Sequence, residues 1–281
     1  MADGPLSGKV AIVTGAGSTI GMGRSITLAF IGAGARVTML DINEEALDKT
    51  ANEVRELGGD DAVLPIVADV SSPADAAGAV SKTLSEFGDL HILVNNAGTN
   101  PHNQGFESKQ FNNFWDTDPA AWSRVVAINF SGPFFMAQAA VGHMIEQGWG
   151  RIIGVTTSLD TMIRQQMTPY GPSKAGHEAL MASIAPELEG SGVTANVLVP
   201  GGPVNTNLLP ADTAFDRETL IQPDVMQVPA VWLASNESAE MTGRRFIAYY
   251  WDESLPIAER IEKSSAPAGW PQLGAQTVWH R

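Results

Sequence analysis

The chain reads YGPSK at 170–174, which sets a phenol, Tyr170, and an ammonium, Lys174, four positions apart. Residues i and i+4 share a helical face, so the ammonium reaches past the phenol. A free phenol titrates near ~10 and is a poor base at neutral pH; a neighbouring cation favours phenolate, and such a tyrosine can exchange a proton with a substrate oxygen. Pro169 and Pro172 are tolerated where a helix starts, which places Tyr170 near the first turn. A surface tyrosine beside a solvated lysine is the plain alternative.

A second chemical element is TGAGSTIGMGR at 14–24, a glycine-rich turn between a strand-like run and a helix-like one. Glycines there let the backbone approach a pyrophosphate, whose charge is stabilised by the free N–H groups of the helix start. Asp41 follows 18 residues after Gly23 and suits the hydroxyls of an adenosine ribose. A carboxylate at that point disfavours a 2′-phosphate, and the next residue, Ile42, is not basic, so NAD is expected rather than NADP. The competing reading of Asp41 is a helix cap, which Asn43 can supply instead.

These groups need a scaffold. Short apolar runs recur at 10–14, 36–40, 62–68, 91–94, 151–155, 193–199 and 245–250, separated by stretches of helical spacing. Runs apolar on both faces between helices predict an α/β fold: a Rossmann-type, doubly wound parallel sheet of about seven strands flanked by helices. Helices are predicted over 24–33, over 43–57 behind a capping asparagine, and from Asp118-Pro119 to about Gln147, with an interruption near Gly132-Pro133. No repeat or linker divides the 281 residues, so one domain is expected, with 251–281 as an atypical C-terminal extension that packs on the domain or a partner subunit. The polar stretch 99–115 reads as a long loop beside the substrate, and Trp115 and Trp122 as core anchors.

Composition removes whole classes of function. A net charge of −14 and the lack of any Lys/Arg run argue against nucleic acid as a partner. The absence of cysteine excludes disulfides and thiolate chemistry. The five histidines show no metal-ligand spacing, so no metal is expected. The first residues lack a basic segment followed by an apolar core, and no 18 uninterrupted apolar residues occur; no membrane association and a cytoplasmic location are the expectations.

Taken together, TGAGSTIGMG, ADV (68–70), NNAG (95–98), IN (128–129), YGPSK, PGGPVNT (200–206) and MTG (241–243) occur in the order that resembles the short-chain dehydrogenase/reductase family, in its common subfamily of about 250 residues. The resemblance runs from residue 7 to about 250. It implies that Gly15, Gly21 and Gly23, with Met22 between them, form the cofactor turn and that Asp41 holds the ribose. It further implies Asp69 and Val70 at the edge of the adenine pocket, and Asn96, Ala97 and Gly98 beside the cofactor. The resemblance also implies that Thr206 takes the nicotinamide carboxamide, that Asn129 sits in a distorted helix and holds a relay water, and that Lys174 binds the nicotinamide ribose while lowering the pKa of Tyr170. The family places a serine thirteen residues before the tyrosine to hold the substrate oxygen. Here that position is Thr157, with Ser158 one step on as the alternative. The turn is two residues longer than the family's, PGGPVNT holds one extra residue, and the usual DGG ending is replaced by RRFIAYYWDES.

The expected function is an NAD(H)-dependent oxidoreductase interconverting a secondary alcohol and a ketone, as a homo-oligomer. Leu208, Leu209 and Phe215 lean toward a partly hydrophobic substrate. The alternatives are a catalytically idle NAD-binding regulator and an epimerase or dehydratase that uses NAD transiently.

Overall fold

A computed structural model describes residues 4–105, 113–210, 213 and 215–271. Residues 106–112 of the long polar loop and 272–281 of the C-terminal extension lie outside the described residues.

Among the described residues eight strands form one sheet: β1 (Val10–Thr14), β2 (Arg36–Asp41), β3 (Val63–Val67), β4 (Ile92–Asn95), β5 (Gly150–Val155), β6 (Val193–Val199), β7 (Arg244–Ile247) and β8 (Ser265–Pro267). Their spatial order is β3-β2-β1-β4-β5-β6-β7-β8, parallel throughout except that β8 runs antiparallel to β7. Strands β1, β4, β5 and β6 are buried along their whole length, which is why their sequences are mostly apolar and do not alternate. The order reverses between β1 and β4, and the crevice beyond the strand ends at that reversal is where ligands bind in such sheets.

Helices cover both faces. α1 (Met22–Gly32), α2 (Glu44–Gly58) and α8 (Gln227–Ala234) bury Ile26, Phe30, Leu47, Val54 and Leu233 on one side. α3 (Pro73–Phe87), α5 (Gly132–Glu146) and α7 (Tyr170–Glu187) bury Val80, Met136, Met144 and Met181 on the other. Short α4 (Pro119–Val126), α6 (Leu159–Ile163) and α9 (Ile257–Ser264) complete the set. The two predicted caps form, the side chains of Asn43 and Asp118 accepting backbone N–H groups at the starts of α2 and α4, and Ser72 does the same for α3.

The interruption of the long helix is a π-turn, Ala127–Ser131, just before Gly132-Pro133. Pro133 has no N–H to donate to the carbonyl of Asn129 four residues back, so regular α-helical bonding cannot pass through this point. By length and composition alone the run Pro119–Glu146 could cross a membrane. In the fold, its α5 half packs against α3, β4 and β5, and α4 against α7.

The C-terminal extension departs from expectation by adding an eighth strand. Trp251 packs at a tilt against Trp232, ring centroids 4.9 Å apart, and α9 then returns the chain so that β8 covers the open edge of β7. Trp115 and Trp122 are not core anchors, being 69% and 42% exposed. On α4 the buried positions are Ala121 and Val125, which turns Trp122, one residue on from Ala121, outward.

Candidate active site

The cofactor turn depends on side chains that are absent. Gly15 has φ +67, and a Cβ on Gly23 would sit 2.2 Å from the carbonyl oxygen of Gly15, so the start of α1 presses directly on the turn. Asn96 locks the opposite side: its Nδ2 donates to the carbonyls of Thr14 at 2.8 Å and Gly15 at 3.1 Å. Thr14 Oγ1 in return accepts the N–H groups of Asn96 and Ala97. The resulting groove is lined by Gly15, Gly21, Met22, Asp41, Ala97 and Lys174 among others, and Gly23 lies beneath it.

Asp41 accepts N–H groups from Gly17 at 2.9 Å and Asn43 at 3.0 Å, and it is Asn43 that caps α2. A carboxylate has about four lone-pair sites, so both oxygens retain acceptor capacity. Gly17 escaped the sequence reading. A Cβ there would come within 2.9 Å of the Asp41 Cβ, and that close approach is the signal. Asp69 and Val70, expected at the adenine pocket, lie outside the groove lining. The Asp69 carboxylate is paired with Arg124 at 2.9 Å and accepts from Ser71. Burial raises its pKa, but these bonds outweigh it and hold the carboxyl below its ordinary range. Val70 packs against Gly132, where a Cβ would meet it at 2.9 Å.

α7 opens at Tyr170, as the prolines predict. Tyr170 and Thr157 line one cavity wall, and burial pushes the Tyr170 pKa up to about 12 against the opposing effect of the Thr157 side chain. Lys174 donates not to the phenol but to the carbonyl of Val155 at 2.9 Å, and burial lowers its pKa to about 8. Gly98 makes room for it, since a Cβ there would lie 3.1 Å from Lys174 Nζ.

Thr157 and Ser158 are now distinguished. β5 ends at Val155, and the Ser158 side chain caps α6, accepting from the Thr161 N–H and bonding the Thr161 hydroxyl at 2.8 Å. The strand stops before Ser158 and the helix start engages its hydroxyl, whereas Thr157 lines the cavity with Tyr170. Asn129 lies in the π-turn and is fully buried. Its Oδ1 accepts from Thr99 N–H at 2.8 Å, and Nδ2 donates to Thr99 O and to Ser173 Oγ. Ser173 donates onward to the carbonyl of Tyr170 at 2.7 Å, tying Asn129 to the start of α7. Ser173 was missed although it stands inside YGPSK.

Tyr170 and Thr157 open on a cavity of about 210 Å³ whose walls include His102, Met167, Leu208, Leu209 and Phe215. Thr206 borders both this cavity and the groove, and its hydroxyl also accepts the Leu208 N–H at 3.3 Å. The strap 204–210 is held from three sides. Asn100 and Asn103 donate to the carbonyls of Leu208 and Asn207, and Asn207 reaches across to Ser18 at 3.1 Å. Arg217 donates to Asn205 and to the carbonyls of Thr206, Leu209 and Pro210.

A family profile described as short chain dehydrogenase matches residues 9–216. The chain belongs to the short-chain dehydrogenase family. It is 33% identical over 247 residues to the (2S)-((R)-hydroxy(phenyl)methyl)succinyl-CoA dehydrogenase subunit BbsD of Thauera aromatica, covering 85% of this chain and 94% of that one. It is 32% identical over 248 residues to the 3-oxoacyl-(acyl-carrier-protein) reductase FabG of Thermotoga maritima, covering 85% and 95%. Among solved structures, a short-chain type dehydrogenase/reductase from Mycobacterium marinum superposes with a TM-score of 0.76 at 30% identity, covering 86% and 94%. The protein is an oxidoreductase of this family, built on its α/β fold.

Proposed function

We propose that this dehydrogenase interconverts a secondary alcohol and a ketone with NAD(H), using Tyr170 as the proton-transferring group. The observation that carries this is that Tyr170 lines, together with Thr157, a cavity that adjoins the glycine-lined groove, which Tyr170 also lines. The groove suits a dinucleotide: Gly15 and Gly23 leave no side chain between it and the start of α1, and Asp41 with exposed Ile42 favours NAD over its 2′-phosphorylated form. Bound there, NADH would supply the hydride.

The chain's own residues handle the proton. With its pKa raised by burial, Tyr170 is protonated at neutral pH and donates to the oxygen of a ketone as that oxygen gains charge. Thr157 orients the same oxygen through its hydroxyl. Lys174 supports the cofactor ribose, and its charge favours the phenolate left after donation. Both Asn129 amide hydrogens are engaged by protein, so the relay water is assigned to its main-chain carbonyl, which Pro133 cannot serve. Met167, Leu209 and Phe215 in the cavity wall fit a partly apolar substrate, and the two relatives named above bear names of acyl-thioester type.

NADH oxidation by purified protein over a panel of ketones, followed at the nicotinamide absorbance, tests the reading. Tyr170→Phe is expected to lower kcat by at least about 100-fold, the scale of general acid catalysis, while calorimetry still detects NAD binding. Persistent turnover in that variant overturns the assignment, and binding without turnover in the parent favours a regulator.

A further inference from the structure

Behind the cavity wall that Tyr170 and Thr157 share lies an ion pair that the proposed mechanism does not use. Glu178 stands four residues after Lys174 and eight after Tyr170, so α7 carries phenol, ammonium and carboxylate along one row. Its side chain is 0% exposed; Oε2 accepts from Arg245 on β7 and from the Thr156 hydroxyl at 3.2 Å, while Oε1 has no partner among the described residues. Arg245, 9% exposed, uses its other terminal nitrogen to donate to the main-chain carbonyl of Thr157 at 3.0 Å. Thr157 lies two residues past the end of β5 and has no strand ladder to hold it.

We propose that Glu178 and Arg245 are positioning residues that fix the backbone of Thr157 so that its hydroxyl meets Tyr170; this rests on the role given to Thr157 above. A buried ion pair is a poor stabiliser compared with apolar residues of the same volume, and this one leaves a carboxylate oxygen unsatisfied. Its geometry supplies direction. A guanidinium is a rigid planar fork that spans two acceptors at set angles, here one on α7 and one on the segment after β5. Threonine makes the direction matter, because a β-branched side chain is stiff about χ1 and its hydroxyl follows the backbone.

The chain has three tyrosines, so Tyr249→Phe with Tyr250→Phe leaves Tyr170 alone. An isotope label at the tyrosine Cζ then gives one NMR resonance that reports the hydrogen bond to Thr157, with Thr157→Val marking the bond-free position. Arg245→Lys keeps the charge facing Glu178 but has one nitrogen for two acceptors, and it is expected to move the resonance at least about halfway to the Thr157→Val position without loss of the folded circular dichroism spectrum. Glu178→Leu with Arg245→Met, which removes both charges together, is expected to do the same and serves if the single variant does not fold. A resonance that stays at the parent position in both, while Thr157→Val moves it, overturns the proposal alone. If Thr157→Val itself moves nothing, the role of Thr157 in the proposed function falls with it.

Discussion

The two walls of the crevice are built on opposite principles. One wall, the turn from Gly15 to Gly23, is shaped by side chains that are missing: backbone lies against backbone, and one added carbon would collide with a carbonyl oxygen. The other wall, from Thr157 through Tyr170 and Lys174 to the strap 204–210, is shaped by polar groups pulled out of water and joined across long sequence separations. The first is rigid by exclusion, and the second holds an ammonium and a phenol away from their ordinary pKa values. The two walls meet at the groove, which Gly15, Gly21 and Met22 line from one side and Tyr170, Lys174 and Thr206 from the other.

The sharpest way to break this contrast is Gly23→Ala. Because the obstacle is the fixed carbonyl of Gly15, the turn has to move, and a loss of about 3 kcal/mol is expected in denaturant unfolding together with loss of NAD binding by calorimetry. An unchanged midpoint with NAD still bound would show that the turn yields.

Lys174→Met probes the other wall through pH. In the cofactor-free protein the folded pKa of Lys174, about 8, lies below the ordinary 10.5, so between these values the unfolded chain binds more protons and stability rises with pH. Tyr170 acts in the reverse sense: its pKa of about 12 exceeds the ordinary 10.0, and stability falls from pH 10 toward 12 as the unfolded chain loses the phenol proton first. Lys174→Met is expected to remove the rise above pH 8 and to stabilise the protein at neutral pH by as much as about 3 kcal/mol, while weakening catalysis. A thermal-unfolding profile with the same pH slope as the parent would remove the ammonium from this account.

The smallest effect is expected at the strap. Arg217→Ala leaves the carbonyls of Thr206, Leu209 and Pro210 without their shared donor, and at this half-buried position about 1 kcal/mol of stability is lost. A several-fold rise in KM with kcat nearly unchanged is the kinetic counterpart, because Leu209 and Pro210 line the cavity while Tyr170 is untouched. A fall in kcat at constant KM would instead tie the strap to the proton-transfer geometry.

The sheet was legible because its strands are apolar on both faces and its helices carry their own caps. β8 was not, since Ser265-Ala266-Pro267 has no strand pattern and pairs only because β7 offers an open edge. The start of α7 and the glycine turn could be read from adjacent residues. Choosing between Thr157 and Ser158 required knowing that β5 stops at Val155, and the fate of Asp69 required knowing that Arg124 arrives from α4, 55 positions away. Trp122 was misread for a related reason: helical phase, not residue type, turns it outward.

By itself the amino-acid order determined the class of fold, the place of the phosphate turn and the pairing of Tyr170 with Lys174, since each follows from side-chain sterics and spacing within a few residues. Only the tertiary structure decided which hydroxyl lines the cavity beside the phenol, which carboxylate stays open to the groove, and that burial raises the pKa of Tyr170. Desolvation and partner choice belong to neighbours brought together from distant parts of the chain, and no local pattern encodes them.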